Sequence, residues 1–182
     1  MSVPALPAFA PLEPGAEPAV AALLLAAMPG ITFEGATGFL AAMGEDPAAT
    51  VLAALADGRA QAAYVLRKVG VTTELLLVVA DPAADPALGL EAAAVRDAGN
   101  RVGRRPLTVE TSERALEWYK GLGFKLVGKR RKPDGSFGYR LGWHGRRDAP
   151  GSPESSAPAA ASLEPCPDPA ALLGDFGRTG AG

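Results

Sequence analysis

Apolar positions follow two spacings along residues 8–144, one helical and one extended. Apolar residues three and four positions apart, closed by Pro or Gly, line one face of a helix and therefore predict four helices. Short apolar or alternating runs bounded by turn residues predict seven strands. Helices are predicted over residues 18–28, 35–43, 87–101 and 113–122, and strands over 9–12, 50–56, 59–68, 72–79, 106–111, 125–132 and 136–143.

The order of these elements predicts a mixed α/β fold, β-α-α-β-β-β-α-β-α-β-β. Asp57 and Gly58, between two apolar runs, are a strong hairpin signal because both residue types tolerate a positive φ. Residues 75–79 are apolar at every position, which is typical of a strand buried on both faces. We therefore expect a mixed, twisted sheet with helices on both faces. The predicted buried stripe of the helix over 87–101 is Leu88, Ala92 and Val95.

The two ends of the chain differ in composition from the middle. Residues 145–182 are mostly Ala, Gly, Pro and Ser, with few large apolar side chains. Such a segment buries too little surface to offset the entropy lost on ordering, so we predict a disordered tail. Residues 1–7 are expected to be loose for the same reason, which leaves residues 8–144 as a single domain.

Composition narrows the classes of function. The chain has one Cys and one His, too few for a disulfide or for a zinc centre built from these residues, and no metal site is expected. The formal net charge of −2 does not predict a nucleic-acid partner. We find no signal-peptide pattern and no apolar run long enough to span a bilayer, so we expect a cytoplasmic protein without a membrane partner. A homodimer is compatible with the sequence.

The most specific local pattern covers residues 112–124, which read S-E-R-A-L-E-W-Y-K-G-L-G-F. This block resembles the second conserved block of the GNAT superfamily of acyl-coenzyme A-dependent N-acyltransferases. The positions in register are Ala115, Tyr119, Gly123 and Phe124. The predicted element order over about residues 8–143 is also that of the superfamily. Ser112 stands where the superfamily usually has Asn, and both residue types can cap a helix.

The resemblance implies an N-acetyltransferase that uses acetyl-coenzyme A and acts on an amine of a small molecule or protein. The tyrosine of this block lies near the thioester sulfur in the superfamily, so Tyr119 is expected to protonate the leaving thiolate. A carboxylate on the fourth or fifth strand often serves as the base, which points to Glu74 or Glu110. Simple core packing of Tyr119 and solvated strand ends for the two glutamates are the alternatives. The cofactor contacts implied are Leu77, Val78, Val79, Ala87, Leu88, Gly89, Ser112 and Tyr119.

The sequence departs from the superfamily in the loop that normally holds the pyrophosphate. That loop usually carries an Arg or Gln and small residues whose backbone N–H groups approach the phosphates. Here residues 81–86 read D-P-A-A-D-P, and neither alignment register supplies the Arg or Gln or the first glycine. Pro82 and Pro86 lack N–H donors, and a carboxylate about 5 Å from the pyrophosphate costs about 3 kcal/mol, or about a hundredfold in affinity. Binding of acetyl-coenzyme A is therefore expected to be weak or absent.

A basic run in the last predicted hairpin leaves a further hypothesis open. Alternation places Lys125, Lys129 and Arg131 on one face, as in a surface for an acidic ligand or RNA. Such a run is also typical of a solvated sheet edge that is protected from pairing. Three hypotheses therefore stand: an N-acetyltransferase of the GNAT type, a catalytically inactive GNAT-fold binding or assembly module, and a hairpin that binds acidic ligands or RNA.

Overall fold

The computed structural model describes residues 8–144, which form one seven-stranded mixed sheet and four α-helices. The predicted loose start and disordered tail lie outside these residues. The mixed α/β fold and its predicted order of elements are confirmed. The elements are β1 Ala10–Pro11, α1 Glu17–Ala27, α2 Phe33–Glu45, β2 Ala49–Ala56, β3 Arg59–Val69, β4 Thr72–Ala80, α3 Leu90–Val102, β5 Leu107–Thr111, α4 Glu113–Gly121, β6 Lys125–Arg131 and β7 Phe137–Trp143.

The strands lie in the order β1-β2-β3-β4-β5-β7-β6. β4 and β5 run parallel at the centre, and the other neighbouring pairs in the described chain are antiparallel. The hairpin between β2 and β3 is confirmed, because Asp57 has φ 52° and Gly58 has φ 75°. Within residues 8–144, no helix is long and apolar enough to cross a bilayer.

The first two helices pack on one face of the sheet. The Thr32 side chain accepts a hydrogen bond from the Gly35 N–H at 3.0 Å, so α2 begins two residues earlier than predicted. This cap explains the difference, because it satisfies an N–H group that the start of a helix otherwise leaves without an acceptor. The buried side chains of this face include Val20, Leu24, Leu40, Val65, Leu77 and Val79.

The last two helices pack on the opposite face. α3 begins at Leu90 rather than at residue 87, because Pro86–Leu88 forms a short 3₁₀ turn and Gly89 adopts a left-handed φ of 54°. The predicted buried stripe is therefore wrong at Leu88, which is only partly buried, whereas Leu90 is 4% exposed. Trp143 of β7 lies against Gly99 of α3, where an added Cβ would approach the indole ring to 3.2 Å. The buried side chains of this face include Leu52, Tyr64, Val78, Val95, Val109 and Tyr119.

Candidate active site

The two central strands pair over only a short distance. β4 and β5 are in register at Thr73 with Leu107, Glu74 with Thr108, and Leu75 with Val109. Beyond Leu75, β4 continues to Ala80, but no described residue of β5 pairs with it. The parallel strands therefore separate at their carboxyl ends. A cleft of this kind, at the carboxyl ends of parallel strands, is a common ligand site in α/β proteins.

A β-bulge lies where the two strands separate. Val65 of β3 pairs with Leu77, whereas Leu66 pairs with Leu75, so Leu76 is an extra residue in β4. A bulge bends its strand and increases the local twist. Because Leu76 follows directly after the last β4–β5 pair, the bulge gives a physical reason for the opening of the cleft.

Beyond the bulge, successive residues of β4 direct their backbone N–H and C=O groups alternately towards β3 and towards the cleft. The Asp81 N–H donates to the Gln61 carbonyl on the β3 side at 2.7 Å. Successive residues of a strand turn their N–H and C=O groups to opposite edges. Val79 and Leu77 therefore face β3 with their backbone groups, while Val78 faces the cleft. Of the three β4 residues that the resemblance implies as cofactor contacts, Val78 thus offers backbone groups to a bound chain.

The loop after β4 is organised by its own two aspartates. The Asp81 carboxylate accepts a hydrogen bond from the Ala83 N–H at 2.9 Å, and the Asp85 carboxylate accepts one from the Ala87 N–H at 2.9 Å. Both contacts are Asx turns, in which an aspartate binds the backbone two residues further on. Two of the amides that an anion would need are therefore already bonded to negative charges.

The remaining N–H groups implied for the cofactor are also used within the loop. The Leu88 N–H donates to the Asp85 carbonyl at 3.0 Å, and the Gly89 N–H donates to the Pro86 carbonyl at 3.0 Å. Ala87, Leu88 and Gly89 therefore surround the start of α3 without presenting free amides. The first-turn N–H groups of α3, which have no acceptor within the helix, remain the donors at this end of the sheet.

Tyr119 lies in the buried core on the face of the sheet that carries α3 and α4. Its side chain is fully buried and packs edge-on against Trp118 and Phe124, with ring centroids 4.8 and 5.4 Å away. The same buried cluster includes Val78 of β4 and Val109 of β5, one residue from each of the two separating strands. Tyr119 therefore belongs to the same buried cluster as one residue of each separating strand. The core packing weighed as an alternative for Tyr119 is present, and its role as an acid stays a prediction.

Ser112 occupies the N-cap position of α4, as its place before the helix predicts. Its side chain accepts no capping hydrogen bond from the first turn of that helix. Because β5 ends at Thr111, Ser112 is the first residue after the separated end of that strand. Its contact with a cofactor stays a prediction.

The two glutamates considered as bases lie on one face of the sheet. Glu74 pairs in register with Thr108, and Glu110 is two residues further along β5, so the three share a face. Glu74 lies 3.3 Å from Arg140, and Glu110 lies 3.5 Å from Arg130. Their side chains are 31% and 49% exposed, so both ion pairs are in contact with water. Each carboxylate therefore has a cationic neighbour and solvent access, and a base role for either stays a prediction.

The face predicted for the basic hairpin is wrong at one position. The register between β6 and β7 shifts at Val127, which inserts an extra residue. Alternation is reset by such a bulge, so Lys125 lies on the face opposite to Lys129 and Arg131. Lys129 lies over the Phe137 ring, with its Nζ 3.8 Å from the ring centroid. The basic run therefore does not form one continuous surface, because its cations divide between the two faces of the edge strand.

The fold of the described residues matches solved structures of GNAT acetyltransferases. The sequence itself matches no protein-family profile and no curated protein. Several solved structures match over nearly their whole length. The aminoglycoside 6′-N-acetyltransferase from Enterococcus faecium has a TM-score of 0.64 and 14% identity, covering 81% of this chain and 99% of that chain. The ribosomal-protein-S18-alanine N-acetyltransferase from Escherichia coli has a TM-score of 0.64 and 17% identity, covering 82% and 98%.

A third structure carries a ligand. The GNAT family acetyltransferase from Elizabethkingia anophelis, with acetyl-coenzyme A bound, has a TM-score of 0.56 and 16% identity, covering 76% of this chain and 98% of that chain. Identities this low show the fold alone. The fold implied by the 112–124 block is thus confirmed, whereas activity does not follow from it.

Proposed function

We propose that this chain is an N-acetyltransferase of the GNAT type, which transfers an acetyl group from acetyl-coenzyme A to an amine. The observation that carries the proposal is the open edge of β4, where the strand leaves β5 directly after the bulge at Leu76. An extended ligand with amide groups can pair with such an edge through Val78. The neighbouring structures that are named as acetyltransferases support the same reaction class.

The cleft fits one part of acetyl-coenzyme A better than the other. The pantetheine arm carries amides, which match the free backbone groups of Val78, with Leu77 and Val79 forming the strand on either side. The pyrophosphate would meet Asp81 and Asp85 and amides that are already bonded. Ala87, Leu88 and Gly89 therefore contribute shape rather than hydrogen bonds. Affinity is then carried by the β4 edge, by Ser112 and by the first turn of α3, whose N–H groups favour an anion.

The bound thioester would supply the acetyl group and a thiolate leaving group. Glu74 or Glu110 takes a proton from the attacking amine, and either carboxylate can pass it to solvent because both are partly exposed. Tyr119 donates its phenolic proton to the sulfur as the carbon–sulfur bond breaks. Because Tyr119 is fully buried, the sulfur must reach the inner end of the cleft between Val78 and Val109.

A second candidate function is a GNAT-fold binding or assembly module without catalysis. The observation that favours it is the loop after β4, whose two carboxylates occupy its own amides. Under this alternative the fold is kept for packing or for partners, and no acyl thioester binds. The two functions differ in one property that can be measured directly, which is binding of an acetyl thioester.

Calorimetry with two thioesters tests the proposal. Acetyl-coenzyme A and S-acetylpantetheine share the acetylated arm, and only the first carries the pyrophosphate. We expect both to bind to the full chain, and acetyl-coenzyme A to bind no more tightly than S-acetylpantetheine, because the loop carboxylates repel the pyrophosphate. Absence of binding for both at millimolar concentration would overturn the acetyltransferase proposal and leave the inactive module. Tight binding of acetyl-coenzyme A alone would show that the loop holds the pyrophosphate, contrary to our reasoning.

Turnover of the thioester with a panel of amines then tests the residues. Tyr119→Phe should lower kcat by about a hundredfold without weakening thioester affinity, because a general acid typically contributes this much or more. Tyr139→Phe is the matched control, since Tyr139 is also buried but lies on β7. Equal kcat for Tyr119→Phe and the control would remove the acid role. Glu74→Gln and Glu110→Gln, compared over pH, identify which carboxylate is the base.

A further inference from the structure

A second concave site lies at the opposite end of β4 from the cleft. It is a groove of about 440 Å³ on the face that carries α3. Thr73 in the groove and Val78 at the cleft are five residues apart along β4, which is about 16 Å at the rise of a strand. The residues that matter for its chemistry are Leu52, Leu66, Val102, Lys68, Arg101 and Arg105.

The groove exists because α3 ends before the strands beneath it do. Leu66 and Lys68 are successive residues on the α3 face of β3, and Lys68 lies in register with Thr73 of β4. On its other side, the Lys68 N–H donates to the Ala48 carbonyl at 2.9 Å. α3 stops at Val102, so this end of the sheet is left without a helix above it. Lys68 therefore stands at the centre of an uncovered strip whose inner part is apolar.

One of the three cations in the groove is already committed to the fold. Arg101 donates to the Asp97 carboxylate at 2.7 Å and to the Phe9 carbonyl at 2.5 Å. The hydrogen bond to Asp97 raises the pKa of Arg101. The Tyr64 hydroxyl also donates to Asp97, so this carboxylate is satisfied by two partners from β3 and α3. Arg101 thereby ties α3 to the start of the chain and offsets the negative end of the helix dipole.

The other two cations have no such partner among residues 8–144. No described carboxylate forms an ion pair with Lys68 or Arg105. The acid of the neighbouring loop, Asp46, is paired with Arg67 at 3.2 Å. Lys68 and Arg105 thus place two uncompensated positive charges at the rim of a groove whose floor is apolar. Such an arrangement attracts an anion, and a charge-assisted hydrogen bond is stronger than a neutral one.

We propose that this basic groove binds a small organic anion with a phosphate or carboxylate head group and a short apolar body. Lys68 and Arg105 hold the head group, and Leu52, Leu66 and Val102 pack against the body. The volume lies in the lower part of the range of small-molecule sites, which suits a ligand the size of a substituted benzene ring. The groove is separate from the acyl-transfer cleft, so both sites can be occupied together.

Calorimetry with phenyl phosphate and benzoate on the full chain tests the proposal. We expect saturable binding of one molecule of phenyl phosphate per chain, weaker binding of inorganic phosphate because it lacks the apolar body, and no binding of phenol. The comparison of phenyl phosphate with benzoate shows which head group is preferred. Absence of saturable binding for both organic anions at about 20 mM would overturn the proposal, because even a specific site with a dissociation constant in the millimolar range would bind at that concentration.

A pair of double variants locates the site. Lys68→Gln with Arg105→Gln should weaken binding of phenyl phosphate at least about tenfold, which corresponds to about 1.4 kcal/mol. Lys125→Gln with Arg131→Gln removes the same charge from β6 and should leave the affinity unchanged. All four side chains belong to exposed residues, so the melting temperature should report folded protein in each case. Equal loss in both double variants would mean that net charge alone attracts the anion, and the proposal would fail.

Binding of acetyl-coenzyme A provides an independent test of the basic groove. Its affinity should be the same in the wild type and in the Lys68→Gln, Arg105→Gln variant, because the cleft lies about 16 Å away along β4. If acetyl-coenzyme A does not bind, the proposal for the basic groove still stands. If the organic anions do not bind, the proposal for the cleft still stands. If acetyl-coenzyme A competes with phenyl phosphate, the two ligands share one site and the proposal of a separate groove is overturned.

Discussion

Removing the two negative charges from the loop after β4 should increase the affinity for acetyl-coenzyme A. Asp81→Asn with Asp85→Asn is a mild change for the fold, because the amide oxygen of Asn can accept the same hydrogen bonds from Ala83 and Ala87. The ion pair of Asp81 with Arg59 spans 3.9 Å and the arginine is 82% exposed, so little stability is lost with it. The substitution therefore isolates the charge from the loop conformation.

The size of the effect follows from the placement of these carboxylates. A carboxylate and a phosphate charge about 5 Å apart repel by about 3 kcal/mol at an effective dielectric of 20, and by about 1 kcal/mol in bulk water. Asp85 is exposed and Asp81 partly buried, so the real value lies between these limits. We expect acetyl-coenzyme A to bind about fivefold to a hundredfold more tightly to the double variant. Added salt should reduce the gain, because the charges are screened over about 10 Å at 0.1 M.

Titration calorimetry at two salt concentrations measures this change, with two controls. Asp134→Asn is matched, because the Asp134 carboxylate also accepts the N–H of the residue two further on, Ser136, at 2.9 Å, but in the β6–β7 turn. S-acetylpantetheine should gain nothing in the loop variant, since it has no pyrophosphate. An unchanged or weaker affinity for acetyl-coenzyme A in the double variant, or an equal gain with Asp134→Asn, would refute the electrostatic reasoning.

Three further predictions concern stability, measured by chemical unfolding. Tyr64→Phe should lower the free energy of unfolding by about 1–2 kcal/mol at pH 7, because a hydrogen bond is lost. Burial and Asp97 raise the pKa of Tyr64 in the folded protein above its ordinary 10.0, so Tyr64 ionises first in the unfolded state and wild-type stability declines above pH 10. The variant should show less of this decline. Leu141→Ala should cost about 2–5 kcal/mol because Leu141 is fully buried, whereas Leu126→Ala, 50% exposed, should cost about 0.5 kcal/mol or less. Gly38→Ala in α2 should stabilise the protein by about 0.5–1 kcal/mol, since nothing lies within 4 Å of the added Cβ. Gly99→Ala should stabilise it less, because the added Cβ would contact the tryptophan of β7. Equal effects within either matched pair, or the same alkaline slope in Tyr64→Phe, would contradict these assignments.

The features that the cleft depends on were only partly accessible from the sequence. The bulge at Leu76 falls within a run of five apolar residues, and any of them could have been the extra residue. The aspartates of the loop did carry a signal, since Asp-Pro-Ala occurs twice within the loop and Asp favours Asx turns. The spacing of that signal predicts a good helix start and a poor phosphate loop, and both hydrogen bonds are present. The basic groove had no signal, because Lys68 and Arg105 come together only when α3 crosses the sheet.

The sequence by itself determined the elements and their order. Asp57 and Gly58 set a hairpin through local backbone preference, and the 112–124 block set a helix beside a strand end. Such features depend on interactions between residues close together along the chain, so they can be read from spacing and residue type. They are enough to predict a mixed α/β fold of the GNAT type.

Only the tertiary structure decided where the strands part and which charges meet. The bulges at Leu76 and at Val127 reset the alternation of their strands, so neither the cleft edge of β4 nor the face of Lys125 follows from counting residues. The arginine partners of Glu74 and Glu110 come from β7 and β6. Register and ion pairing of this kind are fixed by packing between distant segments, whose outcome no local pattern contains.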